Sequence, residues 1–355
     1  MKLKKLGLFV VVLFSMLSGF ASGHEAPPAN APKEVKQRYV DEVKEHHLHD
    51  DHSFTIMPGV SIPLPVILFD DGVQFFMSSN FKEVKDKHGH VHTIAESGGN
   101  YYTIHHGHMY KCNEHGHVEY DKEGHAVGKV LDFSITKNVV IILLMSVFLF
   151  FFFKKMAQRY GQSAVPQKSA SFFEPIIVFI RDDIAIPNIG KNYEKYMGYL
   201  LTVFFFVWFL NLAGLTPFGV SVTNNIAVTA SLAILTFLIT NLTANKHYWG
   251  HIFWMPGVPK PMRIVLAPIE LLGIFIKPFS LMIRLFANMT AGHIVIMSIL
   301  GLMYTANSIG VAAGPSALLT FVLSLLELLV AALQAYIFTM LSALYFGSAN
   351  EEPHH

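Results

Sequence analysis

The chain has 355 residues, of which 52% are hydrophobic, and its formal net charge is only +1. The apolar residues form long blocks, which is typical of a membrane protein and not of a soluble core. The near-neutral charge gives no reason to expect a nucleic-acid partner, and the single cysteine, Cys112, excludes an intrachain disulfide.

Residues 1–23 have the pattern of a bacterial secretory signal peptide. Three lysines near the start precede an apolar run that ends at Leu17, and the small residues Ala21 and Gly23 have the spacing of a cleavage site. An uncleaved first membrane helix is the alternative, although the apolar run is short for a span. Both interpretations predict that the following segment is exported.

Residues 24–136 are polar and rich in histidine, and they are predicted to form a small β-rich exported domain. Asp or Asn followed three residues later by Gly-His occurs at Asp86, Asn113 and Asp121, a spacing that suits type I turns. The intervening stretches HVHTI, NYYTI and GHVEY have the composition of strands. The histidines could alternatively bind a metal. Because they have no fixed ligand spacing, solvated histidines in hairpins are the favoured interpretation, and no metal or cofactor is predicted.

The first mature membrane helix is predicted over residues 137–153. A basic cluster from Lys154 to Arg159 follows it, and the positive-inside rule places such a cluster in the cytoplasm. Residues 154–195 are therefore assigned to a cytoplasmic segment. Its apolar part, 172–180, is too short and too close to charged residues to span, so it is interpreted as an interfacial helix.

Residues 196–346 are predicted to form the membrane core. Apolar helices at 196–214 and 226–242 form a hairpin through an outer loop. The last two apolar blocks, 263–304 and 315–346, are much longer than the ~20 residues of a perpendicular span. They are expected to tilt strongly, to bend, or to lie partly along the membrane.

The predicted fold class is therefore an all-α multi-pass membrane protein with two long, strongly tilted C-terminal helices and a small β-rich exported N-terminal domain. Counting crossings from an outer N-terminus places residues 347–355 in the cytoplasm. The signal peptide and the basic inner loop together indicate a bacterial inner membrane, with the N-terminal domain in the periplasm.

Four polar residues on the first long helix share one face. At 100° per residue, Glu270, Lys277, Arg284 and Asn288 fall within about 40° of one another. Such a stripe faces protein or water and not lipid. The guanidinium stays charged at any cellular pH, and no acidic residue lies within two turns of Arg284. We therefore expect Arg284 to meet a partner on another chain.

Further polar residues occur on the neighbouring helices. In the last helix, Glu327 and Gln334 are seven residues apart and share a face. A glutamate buried in an apolar run needs a partner, and the candidate is His293, which lies on the opposite face of its helix from Arg284. A polar stripe on the helix at 226–242 comprises Asn225, Thr229, Thr236 and Thr240. These stripes indicate a wetted path, although polar residues also commonly join helices in membranes.

These residues, in their order and spacing, make the chain from Asn138 onward resemble subunit a of the rotary F-type ATP synthases. The most specific segments are RLFANMTAGH and LELLVAALQAYIFTMLSALY, supported by NLAGLTPFG, TNNIAVT and APIELLGIFIKPFS. The resemblance implies that Arg284 faces a ring of c subunits, that Asn288 and Gln334 lie close by, and that Glu270 lies toward the cytoplasmic exit.

The function implied by the resemblance is that of a non-catalytic stator subunit. Two half-channels would carry protons to and from the carboxylates of the c ring and so couple ion flow to rotation and ATP synthesis. The implied partners are the c ring, the peripheral-stalk b subunits and membrane lipid, and the coupling ion is H⁺ with Na⁺ left open. Many bacterial relatives have Glu at the position of His293 and His at that of Glu327, so the pair is exchanged here, as in mitochondrial forms.

The sequence gives less support to three other classes of protein. A nucleotide enzyme is disfavoured because GHAVGKV does not have the spacing of a phosphate loop. A metalloprotease is disfavoured because HYWGH lacks the glutamate of His-Glu-x-x-His. The stronger alternative is a self-contained proton-coupled secondary transporter. That class predicts internal repeats and a complete binding site within one chain, and the sequence shows neither.

Overall fold

A computed structural model describes residues 31–32, 34–40, 50–57, 60–70, 72–85, 91–105, 107–121, 126–160, 169–215, 221–254, 258–305 and 309–350. The predicted signal peptide lies outside these residues, as do the turns that follow Asp86 and Asp121 and the last five residues of the predicted tail. The chain divides into two compact units, residues 1–143 with 216–220 and residues 144–215 with 221–355.

The first unit is an antiparallel β domain. Its strands are β1 (Ser53–Met57), β2 (Val60–Pro63), β3 (Pro65–Phe69), β4 (Val73–Met77), β5 (Lys82–Lys85), β6 (Val91–Ser97), β7 (Asn100–His105), β8 (His108–Cys112) and β9 (Leu131–Asp132). They pair as β1–β2, as β4–β3–β9 and as the four-stranded meander β5–β6–β7–β8. Strands β6 and β7 overlap the predicted strands HVHTI and NYYTI, whereas the prediction for GHVEY was wrong: Val118 and Tyr120 form only isolated bridges, and the last strand of the meander is β8. The hairpins formed by β1 to β4 were not predicted individually.

The turn at Asn113 has the predicted geometry. The Gly116 N–H donates to the Asn113 carbonyl at 3.0 Å. The Asn113 side-chain oxygen accepts from the N–H groups of His115 and His117 at 3.1 and 2.9 Å. Gly116 has a φ of 80°, a conformation that glycine adopts without a steric cost. The Asn-x-x-Gly pattern therefore closes this hairpin as the sequence indicates.

The core of the β domain follows the two-residue period of its strands. Val66 and Leu68 on β3 are fully buried, and they pack with Phe76, Tyr102 and Met109 from neighbouring strands. The alternate residues of β3 point to the opposite face of its sheet. The domain therefore buries one face of the β4–β3–β9 sheet.

The helical elements are α1 (Lys137–Tyr160), α2 (Ser169–Phe179), α3 (Tyr193–Gly214), α4 (Ile226–Leu242), α5 (Lys246–Phe253), α6 (Lys260–Thr305) and α7 (Ile309–Asn350). A π-helical stretch, Ile180–Ala185, and a helical turn, Ile186–Ile189, connect α2 to α3. The two long C-terminal helices are confirmed, with 46 and 42 residues. Both are far longer than one perpendicular crossing requires.

Four helical stretches are long and apolar enough to cross a membrane: Lys137–Gln158, Ser171–Gly214, Pro261–Ile299 and Leu318–Asn350. Helices α4 and α5 meet at a bend of 99° and would add a fifth if they form one broken span. The multi-pass helical fold is therefore confirmed. The stretch 172–180 begins the second of these apolar stretches, and its position at the membrane surface stays a prediction.

The helices of the second unit pack around the two longest ones. Helix α3 packs chiefly on α7, and α4 packs chiefly on α6. The expected hairpin partners α3 and α4 are linked by a hydrogen bond of 2.7 Å between the hydroxyls of Tyr199 and Thr236. Ala331 and Ala335 on α7 are fully buried, and such small residues let helices approach closely in membranes. The long helices therefore form the frame on which the polar residues are arranged.

Candidate functional site

The centre of the candidate site is a buried acid–base pair. His293 lies on α6 and Glu327 on α7, and the imidazole Nδ1 is 2.7 Å from the carboxylate Oε1. The two side chains are only 13% and 4% exposed. The imidazole nitrogen and the carboxylate oxygen are therefore in direct contact. The predicted partnership of these two residues is therefore present in the structure.

Two glycines provide the space that the pair occupies. A Cβ added at Gly292 would lie 2.9 Å from Glu327 Oε1, and one added at Gly214 on α3 would lie 3.5 Å from His293 Nε2. Helices α3, α6 and α7 therefore converge on the pair. A methyl group at position 292 would press on the acid, whereas one at position 214 would meet the imidazole at an ordinary contact distance.

Several buried polar atoms near the pair have no hydrogen-bond partner within the described part of the chain. They include Glu327 Oε2 and His293 Nε2, together with Asn211 Oδ1 on α3 and the hydroxyls of Ser221 and Thr223. Leaving such atoms unpaired in the interior costs about 1–3 kcal/mol each, and proteins commonly satisfy them with bound water. The arrangement can therefore hold water beside an acid and a base.

The short segment before α4 brings its polar residues to the same region. A Cβ added at Gly214 would be 3.4 Å from Ser221 Oγ as well as close to His293, so both side chains flank one small space. Thr223 and Asn224 belong to a 3₁₀ turn, Val222–Asn224. The Thr290 hydroxyl on α6 donates a short hydrogen bond to Asn224 Oδ1. This bond ties the turn to the helix that carries His293.

Sequence reasoning did not single out Asn211, Ser221, Thr223, Asn224 or Thr290 as site residues. The available signal was their polar character within or between the stretches NLAGLTPFG and TNNIAVT, or within the long apolar helix. Their burial depends on how the chain before α4 folds against α6. No local periodicity in the sequence specifies that tertiary contact.

Arg284 lies on the same helix as His293 but in a different environment. The two are nine residues apart, roughly 13 Å along the helix axis and on opposite faces. Leu281 and Leu285 are almost completely buried, whereas Arg284 is half-buried and Asn288 is exposed. Among the described residues, no carboxylate lies within 4 Å of the Arg284 guanidinium. This part of the polar stripe therefore lies beside the packed face of α6.

The other polar residues that the sequence predicts for the proton path on α6 and α7 are arranged along these two long helices. Glu270 and Lys277 are half-buried on α6, and Gln334 on α7 is 3% exposed. The Lys277 ammonium lies 5.6 Å from the centre of the Tyr345 ring on α7, a cation–π arrangement. Lys277 also lines a crevice between α4, α6 and α7. The stripe thus continues from Arg284 toward the start of α6.

The polar groups of the α4 stripe already have partners. The hydroxyls of Thr229, Thr236 and Thr240 donate to backbone carbonyls of the preceding turn at 3.1, 3.0 and 2.7 Å. Asn225 caps the helix, since its side-chain oxygen accepts from the Ala227 N–H at 2.9 Å. Capping and helix packing account for these contacts, and a channel-lining role for the four residues stays a prediction.

Metal ligation has no support in the described part of the chain. No group of three or more His, Cys, Asp or Glu side chains there has an arrangement that could hold a metal ion. The site therefore consists of ionisable and neutral polar side chains held between apolar helices. These features define a polytopic α-helical membrane protein with a buried acid–base pair in its interior.

Comparison with known proteins gives the family. A family model described as ATP synthase A chain matches residues 139–347. The chain belongs to this family, which confirms the resemblance seen in the sequence. A second model, described as a domain of unknown function (DUF8433), matches residues 43–133, which lie within the β domain.

The individual relatives that match the chain are also named as subunit a of an ATP synthase. ATP synthase subunit a 2 of Chlorobaculum tepidum is 45% identical over 226 residues, which cover 61% of this chain and 64% of the relative. ATP synthase subunit a of an Anaeromyxobacter species is 42% identical over 253 residues, covering 68% and 61%. ATP synthase subunit a 2 of Prosthecochloris aestuarii is 44% identical over 232 residues, covering 63% and 71%. The chain thus spans a little under two thirds of the first two relatives.

Proposed function

We propose that this chain is the stator subunit a in the membrane sector of a rotary ATP synthase. In this role it provides two half-channels, one open to each side of the membrane, which carry protons to and from carboxylates on a ring of c subunits. The ATP chemistry takes place on other subunits. Family membership supports the subunit assignment, and the polar interior of the second unit supports the half-channels.

The contact between His293 and Glu327 is the observation that carries the proposal. An acid and an imidazole in contact at 2.7 Å between apolar helices can exchange a proton. The unpaired polar atoms of Asn211, Ser221 and Thr223 can hold water that delivers the proton to them. Burying this many polar groups in a membrane helix bundle is costly and marks a functional path more often than a structural contact.

Arg284 separates the two half-channels in this mechanism. A ring carboxylate that meets the guanidinium is stabilised in its ionised form, which favours release of its proton. The same fixed charge repels a proton that would cross directly from one half-channel to the other. The released proton leaves along the stripe that contains Lys277 and Glu270. Each proton that moves down 100 mV supplies about 2.3 kcal/mol, so several together can drive rotation.

The proposed surroundings follow from the same role. The N-terminal domain, residues 24–136, lies in the periplasm after removal of a signal peptide, and the C-terminal tail lies in the cytoplasm of a bacterium. The protein contacts peripheral-stalk b subunits, lipid and the c ring. We assign H⁺ as the coupling ion because an imidazole carries protons readily, whereas a hard cation such as Na⁺ prefers oxygen ligands.

An exchange experiment tests the coupled pair directly. The variants His293→Glu and Glu327→His each leave two like groups in contact, and the double variant restores one acid and one imidazole in the opposite order. Proton flux is measured through vesicles that contain the complete complex, with the amount of assembled complex as the control. Each single exchange is expected to lower the flux, and the double exchange is expected to recover part of both losses.

The flux of the double variant distinguishes a coupled pair from two residues that act independently. Recovery in the double variant supports a shared proton-handling unit. Strictly additive losses would show that the two residues act separately, and the access path proposed here would then be wrong.

A further inference from the structure

The β domain has an unusual outer face on its β4–β3–β9 sheet. Six large apolar side chains share this face, and they are between 37% and 68% exposed: Phe69, Val73, Phe75, Met77, Leu131 and Phe133. We call this set the apolar face. In the strand register Phe69 is opposite both Val73 and Leu131, so these side chains are direct neighbours across the sheet.

An antiparallel sheet with one buried face normally has polar residues on the other, solvated face. Here the inner face is filled by Val66, Leu68 and Phe76, yet the outer face is apolar as well. The rings of Phe69 and Phe133 pack edge to face with their centres 5.3 Å apart, which makes the surface continuous. A contiguous exposed apolar surface of this kind marks a site of interaction with a membrane or a partner.

The apolar face is attached closely to the start of the first membrane helix. The Phe133 N–H donates to the Ile67 carbonyl at 2.9 Å, and the Lys137 N–H at the start of α1 donates to the Asp51 carbonyl at 2.9 Å. Lys137 is four positions after Phe133, so the two residues are at most about 14 Å apart. The connection is hydrogen-bonded at both ends, so the sheet cannot move far from the helix end.

We propose that the apolar face contacts the lipid leaflet at which α1 enters the membrane. Helix α1 begins at Lys137 and is long and apolar enough to cross the bilayer from there, so the face is held within reach of the interface. Phe, Leu, Val and Met side chains insert at the boundary between headgroups and acyl chains by roughly 5–10 Å. The β domain thus rests on the membrane through this surface.

Lipid is a better occupant than a soluble chain for two reasons. The six side chains carry no charge and no hydrogen-bonding group, whereas interfaces between separately folded proteins have polar rims and several hydrogen bonds. The surface is also continuous along the chain with the membrane helix itself, through Ile135 and Thr136 to Lys137. The proposal does not depend on proton transport or on which side of the membrane the domain lies.

Site-directed fluorescence quenching tests this contact in the assembled complex, reconstituted in vesicles of phosphatidylcholine. Cys112 is first replaced by serine, and an environment-sensitive fluorophore is attached at Phe75→Cys or, separately, at Leu131→Cys. Both positions are on the exposed side of the sheet, so neither change removes a core residue. The matched control is Ile104→Cys on β7, which is 37% exposed and belongs to the four-stranded sheet β5–β6–β7–β8.

The proposal predicts several-fold stronger quenching by brominated acyl chains at positions 75 and 131 than at position 104, together with weaker quenching by aqueous iodide. Equal access of iodide to all three positions would overturn it, because the apolar face would then be in water. Protection from iodide without quenching by brominated lipid would also overturn it and would indicate that a protein segment covers the face.

Discussion

At the scale of single residues, the proposed proton path depends on close packing around one acid and one base. Gly292 leaves no room for a methyl group, since a Cβ there would lie 2.9 Å from Glu327 Oε1. The Glu327 side chain is almost completely buried and is held by His293, so it cannot move into solvent to relieve a contact. A small change at position 292 should therefore alter the pair without altering the fold.

Gly292→Ala is predicted to reduce proton flux while the complex still assembles. Alanine stabilises a helix by about 1 kcal/mol relative to glycine, so the helix itself becomes more stable. The new methyl group, however, displaces the Glu327 carboxylate from His293. A displacement on the order of 1 Å at a reacting group can cost up to about a hundredfold in rate. The measurement is proton flux in reconstituted vesicles, normalised to assembled complex.

The matched control is Gly273→Ala on the same helix, where an added Cβ has no neighbour within 4 Å. This variant should have normal flux, because it gains helix propensity without touching the pair. Equal flux in both variants would contradict the importance of the carboxylate position, and equal loss in both would mean that any alanine in α6 is harmful.

At the scale of elements, the number of membrane crossings determines where the C-terminus lies. Helix α4 has 17 residues and is followed by a 99° bend into α5. Helix α4 is therefore about 25 Å long, which is slightly less than the ~30 Å thickness of the hydrocarbon core of a bilayer. If α4 crosses, there are five spans and the two ends of the chain lie on opposite sides. If α4 instead turns back within the membrane, there are four spans, and both ends of the chain lie on the same side.

Thiol labelling of single-cysteine variants distinguishes these two topologies. Burial raises the pKa of Cys112 to about 11, so its thiolate is scarce at neutral pH and it is a poor reporter. Cys112→Ser is therefore the background for Glu114→Cys, Gln158→Cys and Ser348→Cys, at three exposed positions. With an impermeant reagent, only Glu114→Cys is predicted to react from the periplasmic side. Reaction of Ser348→Cys from that side would exclude five crossings.

Sequence patterns predicted the helices well because lipid leaves the backbone few choices. Helices and closed barrels are the structures that satisfy every backbone group in a bilayer, so long apolar runs such as those of α6 and α7 had to be helical. The His293–Glu327 contact was predictable because a buried acid needs a partner. In contrast, the roles of Ser221 and Thr223 depend on the path of a connecting segment, which has no periodicity of its own.

The strands that carry the apolar face were also difficult to predict. PVILF and VQFFM contain apolar residues at successive positions, so the two-residue period that identifies a half-solvated strand is missing. The reason becomes clear in the structure, where one set of side chains fills the core and the other set is exposed on the opposite face. A strand with two apolar faces is expected where the second face meets a membrane.

At the scale of the whole molecule, the surroundings of Arg284 indicate that the proposed function requires a second chain. Within the described residues, Arg284 has no carboxylate within 4 Å, and this cation is half-buried beside the packed face of α6. A charge in this position is costly unless a counter-charge comes from elsewhere. In the proposed function, the c ring supplies such carboxylates in turn as it rotates. The proposal therefore predicts that coupling is a property of the assembly and fails when this one charge is removed.

The control for such a change is another arginine in the same unit. The Arg181 guanidinium lies 2.7 Å from the carboxylate of Asp182, and both side chains are nearly half-exposed. Exposed pairs of this kind contribute little to stability, because water and salt screen the charges. Arg181→Ala should therefore leave both assembly and coupling intact, which separates the loss of a positive charge in general from the loss of the charge at position 284.

The most direct test of the central claim is gradient-driven ATP synthesis by the complete complex, reconstituted with Arg284→Ala, Arg284→Lys or Arg181→Ala. We predict that both Arg284 variants assemble normally and make no ATP, since a lysine ammonium does not reproduce the planar guanidinium, while Arg181→Ala synthesises ATP at the unmodified rate. Normal ATP synthesis by assembled Arg284→Ala would contradict the account, because coupling would then not require the charge that separates the two half-channels.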